Sequence, residues 1–235
     1  MEKLKIGVVG LGRLGKVHAQ NIRYKIPGAE LTAACSIVPA ELEYAKTELG
    51  VTDVYTDYKE MLAKADIDAV VIVTTSSEHC WQIEAALDAG KHVFSEKPLG
   101  VDVAQCKQAE AAVERHPELT FMLGFMRRYD KSYSYAKEKI DAGAIGTPYL
   151  VKATGIDPEA FVDGAIRFAK NSGGIFLDMA IHDIDLMRWF LGCEATEVYA
   201  MGSTFKHPEF KEAGDDETGV AVYKFENGAM GMIHV

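Results

Sequence analysis

Cysteine is scarce in this 235-residue chain: Cys35, Cys80, Cys106 and Cys193 are its only four, and no two stand in Cys-x-x-Cys spacing. That argues against a disulfide scaffold or a zinc site and for reduced, buried thiols. Long apolar runs are missing as well. Stretches such as Ala69–Val73 fall far short of the roughly 20 residues needed to span a bilayer. Met1-Glu2-Lys3-Leu4-Lys5 leads directly into a strand-like segment, with no room for the apolar core of a secretion signal, so the expected compartment is the cytoplasm, with no membrane partner. Excess positive charge is also absent. The formal net charge is −10, which argues against a nucleic-acid partner, because phosphate backbones are bound by basic surfaces. What is abundant is apolar residues, 48% of the chain, enough for one large domain or two small ones.

The apolar residues fall into two rhythms. Through about residue 125, short β-branched runs alternate with helical stretches, the pattern of βαβ units in a parallel sheet. Six strands are predicted, at 5–9, 31–35, 51–55, 69–74, 92–95 and 120–124, with helical segments at 40–49, 80–89 and 103–116. Gly50 and Gly90 occupy helix-ending positions. Beyond Phe125 the spacing predicts a helix at 132–141, a strand at 148–155, one long helix over 175–191, and strands to the end. Asn227-Gly228 predicts a two-residue hairpin turn with positive φ at both positions. The expected fold is therefore α/β: an N-terminal dinucleotide-binding domain over 1–124, then an α+β domain over 125–235 built on an open, mainly antiparallel sheet.

Gly10-Leu11-Gly12-Arg13-Leu14-Gly15 follows the first strand and opens a helix, the context that gives a Gly-x-Gly-x-x-Gly loop its meaning. The first glycine permits a tight turn, the second lets the backbone approach a pyrophosphate, and the third lets helix and strand pack closely. This is the Rossmann fingerprint of a nicotinamide dinucleotide site. The residue closing the second strand ordinarily reads the adenosine ribose, an acid favouring NAD and a nearby arginine NADP. Here it is Ser36, followed by Ile37, and serine neither repels nor attracts a phosphate as charged groups do. No basic residue lies between Ala33 and Tyr44, so NAD is the expected cofactor, with NADP not excluded.

At the end of the fifth predicted strand stands Glu96-Lys97-Pro98, where an open parallel sheet places its binding crevice. Farther on, Asp178, His182 and Asp185 are spaced four and three apart within an apolar segment, so they would share one face of a helix and line a cavity. An imidazole there can accept a hydroxyl proton while a carboxylate orients it or the substrate. The same three residue types bind metals, but no matching cluster supplies the rest of a coordination shell, so no metal is expected.

In order and separation, the glycine loop, Glu96-Lys97-Pro98 and the Asp178/His182 segment resemble the Gfo/Idh/MocA oxidoreductases. Gly124-Phe125-Met126-Arg127-Arg128-Tyr129-Asp130, Thr154-Gly155-Ile156-Asp157-Pro158-Glu159 and the 173–185 run are most similar to inositol 2-dehydrogenases. The resemblance covers the whole chain. It implies that Lys97 contacts substrate hydroxyls and cofactor, Asp178 orients the substrate and His182 is the general base, with Arg127 and Asp157 as further substrate contacts. Gly10, Gly12, Arg13, Leu14, Gly15, Ser36, Thr74, Thr75, Ser76, His79, Glu96 and Lys97 would border the cofactor. The substrate implied is a cyclic polyol, myo- or scyllo-inositol, oxidised to the ketone. A homo-oligomer, dimer or tetramer, is implied too, formed on the sheet face opposite the substrate site.

Ser36 stands where many family members have an acid, and Ser76-Ser77 where Pro-Asn is common. Members also continue for about another hundred residues, so the second domain is expected to be incomplete at its C-terminal end. Two other functions fit the same residues: a dehydrogenase of another sugar or sugar phosphate, and a dinucleotide-binding sensor without catalysis.

Overall fold

The computed structural model describes residues 2–235, which divide between Gly124 and Phe125 into two compact units. The first carries six parallel strands: β1 (Leu4–Val9), β2 (Ala29–Cys35), β3 (Asp53–Tyr55), β4 (Ala69–Ile72), β5 (His92–Ser95) and β6 (Phe121–Leu123). They lie in the order β3-β2-β1-β4-β5-β6, so the chain reverses direction across the sheet between β1 and β4. Five helices connect them: α1 (Arg13–Lys25), α2 (Pro39–Thr47), α3 (Tyr58–Lys64), α4 (Ser76–Asp88) and α5 (Val103–Arg115).

The period-two geometry of a strand sends neighbouring side chains to opposite faces, and here both faces are buried. Val8, Leu31 and Val71 pack with Ala19 and Ile22 of α1 and Ala45 of α2. Val9, Ala33, Val70 and Ile72 pack on the other side with Met61 of α3, Ile83 and Leu87 of α4, and Ala109 of α5. Such two-sided burial explains why these strands read as continuous apolar runs. The predicted strand at 51–55 is shorter than expected, beginning at Asp53, and the helix expected from Cys80 begins earlier, at Ser76. That earlier start places Ser76, Ser77 and His79 in the first turn of α4.

The second unit contains α6 (Lys131–Asp141), α7 (Val162–Ala169), α8 (Ile175–Asp178), α9 (Ile181–Leu191) and α10 (Glu209–Glu212), with β7 (Leu150–Thr154), β8 (Ala195–Ser203), β9 (Thr218–Phe225) and β10 (Met230–His234). Its sheet runs β7-β10-β9-β8, with β10 parallel to β7 and antiparallel to β9, and β8 antiparallel to β9. One face packs against the helices through Ala180, Met187, Phe225 and Ile233. Gly231 makes room for this, since a Cβ there would lie 2.5 Å from Met187 Sδ.

Two expectations are corrected here. The single long helix over 175–191 is two helices, because Ala180 N–H donates to Ile175 O, five residues back, and Asp183 N–H donates to Ala180 O, three back. The regular ladder is lost between them, so Asp178 and His182 do not share an unbroken helix face. The hairpin at Asn227-Gly228 is longer than two residues: Phe225 N–H bonds Ala229 O, and only Gly228, at φ 81°, has positive φ. Asn227 instead accepts the Ala229 N–H on its side chain, giving a type I turn closed by a left-handed glycine.

Candidate functional site

Within the first unit, the candidate cofactor residues gather at the carboxyl ends of β1, β2, β4 and β5. Gly10 turns at φ 83°, and a Cβ there would lie 2.6 Å from Val73 O. At Gly15 a Cβ would lie 1.9 Å from Gly10 O, so the third glycine is fixed by the contact of helix and loop. Gly12 differs: a Cβ there meets nothing within 4 Å, so the loop is open at that point. Gly12 is also the N-cap of α1, which has no side-chain cap and no acid in its first turn. The N–H groups and positive potential of that helix end suit a pyrophosphate, so the residues present fit a dinucleotide. Arg13 and Leu14, in the first turn of α1, are both exposed.

Thr74 and His79 join this loop to the lysine segment. His79 is 1% exposed, and its Nδ1 lies 2.7 Å from Pro98 O and its Nε2 3.2 Å from Thr74 O. Burial, opposed by these carbonyls, holds its pKa below the ordinary 6.5. Thr74 donates its hydroxyl to Gln82 at 2.6 Å, and Thr75 is the exposed N-cap of α4 with no side-chain cap bond, while Ser76 is buried. Glu96 bridges in two directions: Oε2 accepts the Lys97 N–H at 3.3 Å, and Oε1 lies 2.8 Å from His18 Nε2. Lys97 itself is half-buried and joined to Pro98 by a cis peptide.

Within the second unit, Arg127 Nη1 donates to Asp183, and Arg128 grips Asp185 with two bonds, at 2.8 and 2.6 Å. Both carboxylates are nearly inaccessible, at 3% and 2% exposure. Asp185 therefore belongs to a structural ion pair, and removing Arg128 would strand a buried charge at a cost of about 3 kcal/mol or more. His182 sits between Ile181 and Asp183 in the first turn of α9, and Asp178 closes α8. Asp215 places α8 by accepting the Ile175 N–H at 2.9 Å. A Cβ on Gly155 would lie 3.1 Å from Asp183 Oδ2, so the end of β7 also meets the start of α9. Asp157, two residues on, stands exposed in the loop that follows.

Sequence reasoning missed His18, whose partner lies far along the chain, and Glu41, whose carboxylate reaches both Ser36 and the Leu11 N–H. Among the described residues, no group of three or more His, Cys, Asp or Glu is arranged to hold a metal ion, and no helix is long and apolar enough to cross a membrane.

Residues 4–125 match the oxidoreductase family with an NAD-binding Rossmann fold, and residues 133–235 match the GFO/IDH/MocA C-terminal domain. The chain belongs to the Gfo/Idh/MocA family of oxidoreductases. Among Gfo/Idh/MocA relatives, myo-inositol 2-dehydrogenase of Thermotoga maritima is 37% identical over 230 residues, 98% of this chain and 67% of that protein. The crystal structure of scyllo-inositol dehydrogenase from Lactobacillus casei with bound NAD(H) and scyllo-inositol is 51% identical, with a TM-score of 0.93 over 99% of this chain and 69% of that one. Myo-inositol 2-dehydrogenase from Lactobacillus plantarum is 42% identical, with a TM-score of 0.96 over 99% and 69%. The chain thus spans about two thirds of the length of these family members.

Proposed function

We propose that this protein is an NAD-dependent dehydrogenase that oxidises a ring hydroxyl of myo- or scyllo-inositol to the inosose. The observation that carries the reading is 51% identity over nearly the whole chain to a scyllo-inositol dehydrogenase, in a sequence that has Lys97, Asp178 and His182. Gly10, Gly12 and Gly15, with the open end of α1, hold the pyrophosphate; Thr74, Thr75, Ser76 and Glu96 border the cofactor. When bound, NAD supplies the hydride acceptor.

The protein's own groups handle the proton and the ring. His182 accepts the hydroxyl proton, and Lys97, as a cation, stabilises the developing alkoxide. Asp178 orients the ring by accepting hydrogen bonds from its hydroxyls, with Arg127 and Asp157 as further contacts. His79 acts through the carbonyls of Thr74 and Pro98, positioning the segments on either side of it.

An oligomer is supported by the sheet of the second unit. Tyr199, Val222 and Met232 lie in one cross-strand row, Met201 and Val220 in the next, and Met230 pairs with Leu150 beyond them. Each of these seven side chains is at least 42% exposed, an apolar face of the kind that subunits cover.

The test is a scan of cofactor reduction with myo-inositol, scyllo-inositol, glucose and other polyols, with NAD and NADP. Inositol-dependent reduction of NAD is expected. Preference for another sugar would move the substrate assignment, and tight NAD binding with no reduction by any polyol would make the chain a sensor.

A further inference from the structure

The adenosine end of the glycine loop contains an acid that lies off the strand end. Ser36 follows β2 directly but is 6% exposed, and its one proton is committed: Oγ donates to Glu41 Oε2 at 2.6 Å and accepts the Val38 N–H at 3.0 Å. A serine hydroxyl has one proton, so this bond fixes its direction. Glu41, in the first turn of α2, also accepts the Leu11 N–H at 3.2 Å, on the glycine loop itself. One half-buried carboxylate thus joins the end of β2 to the turn between Gly10 and Gly12, the region where a dinucleotide's adenosine ribose is read. The first turn of α2 favours its negative charge, and no lysine or arginine lies between Ala33 and Tyr44.

We infer that Glu41 is the specificity-determining acid of the cofactor site, accepting the 2′-hydroxyl of the adenosine ribose and repelling a 2′-phosphate, with Ser36 as the residue that aims it. The inference rests on the reading that the glycine loop holds NAD. The opposing element is Arg13, exposed one residue beyond Gly12, which is the cation a 2′-phosphate would need.

The experiment measures binding of NAD, NADP and 2′-deoxy-NAD to the whole chain by calorimetry, for wild type, Glu41→Ala and Glu41→Gln. Wild type should bind NAD about tenfold or more tightly than 2′-deoxy-NAD or NADP, the size expected for one hydrogen bond to a charged acceptor. Glu41→Ala should bring NAD down to the level of 2′-deoxy-NAD. A general loosening of the loop would instead weaken both equally and leave their ratio unchanged. Glu41→Gln keeps the size of the side chain and should narrow the gap between NAD and NADP.

An unchanged ratio of NAD to 2′-deoxy-NAD in Glu41→Ala, with NAD still bound, would overturn the role of Glu41 alone. Wild type binding NADP as well as NAD would overturn it in favour of Arg13. Wild type binding no dinucleotide would remove the NAD reading and the inference together.

Discussion

Nε2 of His18 and Oε1 of Glu96 meet at 2.8 Å, tying the helix that follows the glycine loop to the residue before Lys97. His18 also packs its ring against Phe94, at 5.4 Å between centroids, so its position is set by β5. Since Glu96 accepts the Lys97 N–H with its other oxygen, the pair orients the lysine's backbone. We expect His18→Ala to lower kcat/KM about tenfold through misplacement of Lys97, and His18→Gln, which keeps a donor, to restore much of it. Steady-state kinetics beside thermal unfolding checks this. A lower Tm with unchanged kcat/KM would leave the pair a brace for α1 and nothing more.

Lys97→Ala and His182→Ala should each reduce turnover with inositol by about a hundredfold, the usual size of a general acid–base contribution. Affinity for NAD should change little in His182→Ala. Near-normal turnover in either variant would remove that residue from the chemistry.

Two glycines of one loop should respond oppositely. Gly15→Ala places a methyl 1.9 Å from Gly10 O and should lower Tm by several degrees, because backbone must shift. Gly12→Ala meets nothing within 4 Å and should leave Tm close to wild type while weakening NAD binding. Equal NAD affinity in Gly12→Ala and wild type would show that the cofactor does not approach there.

His79 predicts a pH dependence of stability. Its two ring nitrogens face carbonyl oxygens, and burial holds its folded pKa below 6.5. As pH falls through 6.5 the unfolded chain takes up a proton that the folded protein still refuses, so stability is full above that pH and declines below it. Tm measured from pH 8 to pH 5 should fall more steeply for wild type than for His79→Gln. Parallel slopes would contradict the assignment.

The apolar sheet face predicts an assembly that charge can break. Val222→Lys with Met232→Lys puts two cations in the Tyr199 row and should shift sedimentation toward the monomer, without unfolding, since both side chains already face solvent. A monomeric wild type would refute the interface.

The parallel sheet and the glycine loop were legible because their constraints are local: buried strands must be apolar, and Gly10 and Gly15 are set by contacts a side chain would violate. The break between α8 and α9 was not. It depends on Ala180 donating to Ile175 O and on Asp215, forty positions from Ile175, holding the start of α8. Apolar periodicity carries no trace of either. Asp185 reads in the sequence as part of an open polar stripe with Asp178 and His182, but its arginine partner lies 57 positions away, so the ion pair leaves no local trace. Glu41 is hidden for a related reason: strand patterning points to the residue at the end of β2, whereas this carboxylate arrives there from the next helix.

In the second sheet, β10 lies between β7 and β9, with Met230 beside Leu150 on one flank and Lys224 on the other. The β9–β10 hairpin closes over a few residues and can zip early, whereas β7 must wait for a partner far away in sequence. Docking of β7 onto a preformed hairpin is therefore the natural late step of folding in this unit. Until it occurs, the outer edge of β10 is open to pairing with the same edge of another molecule.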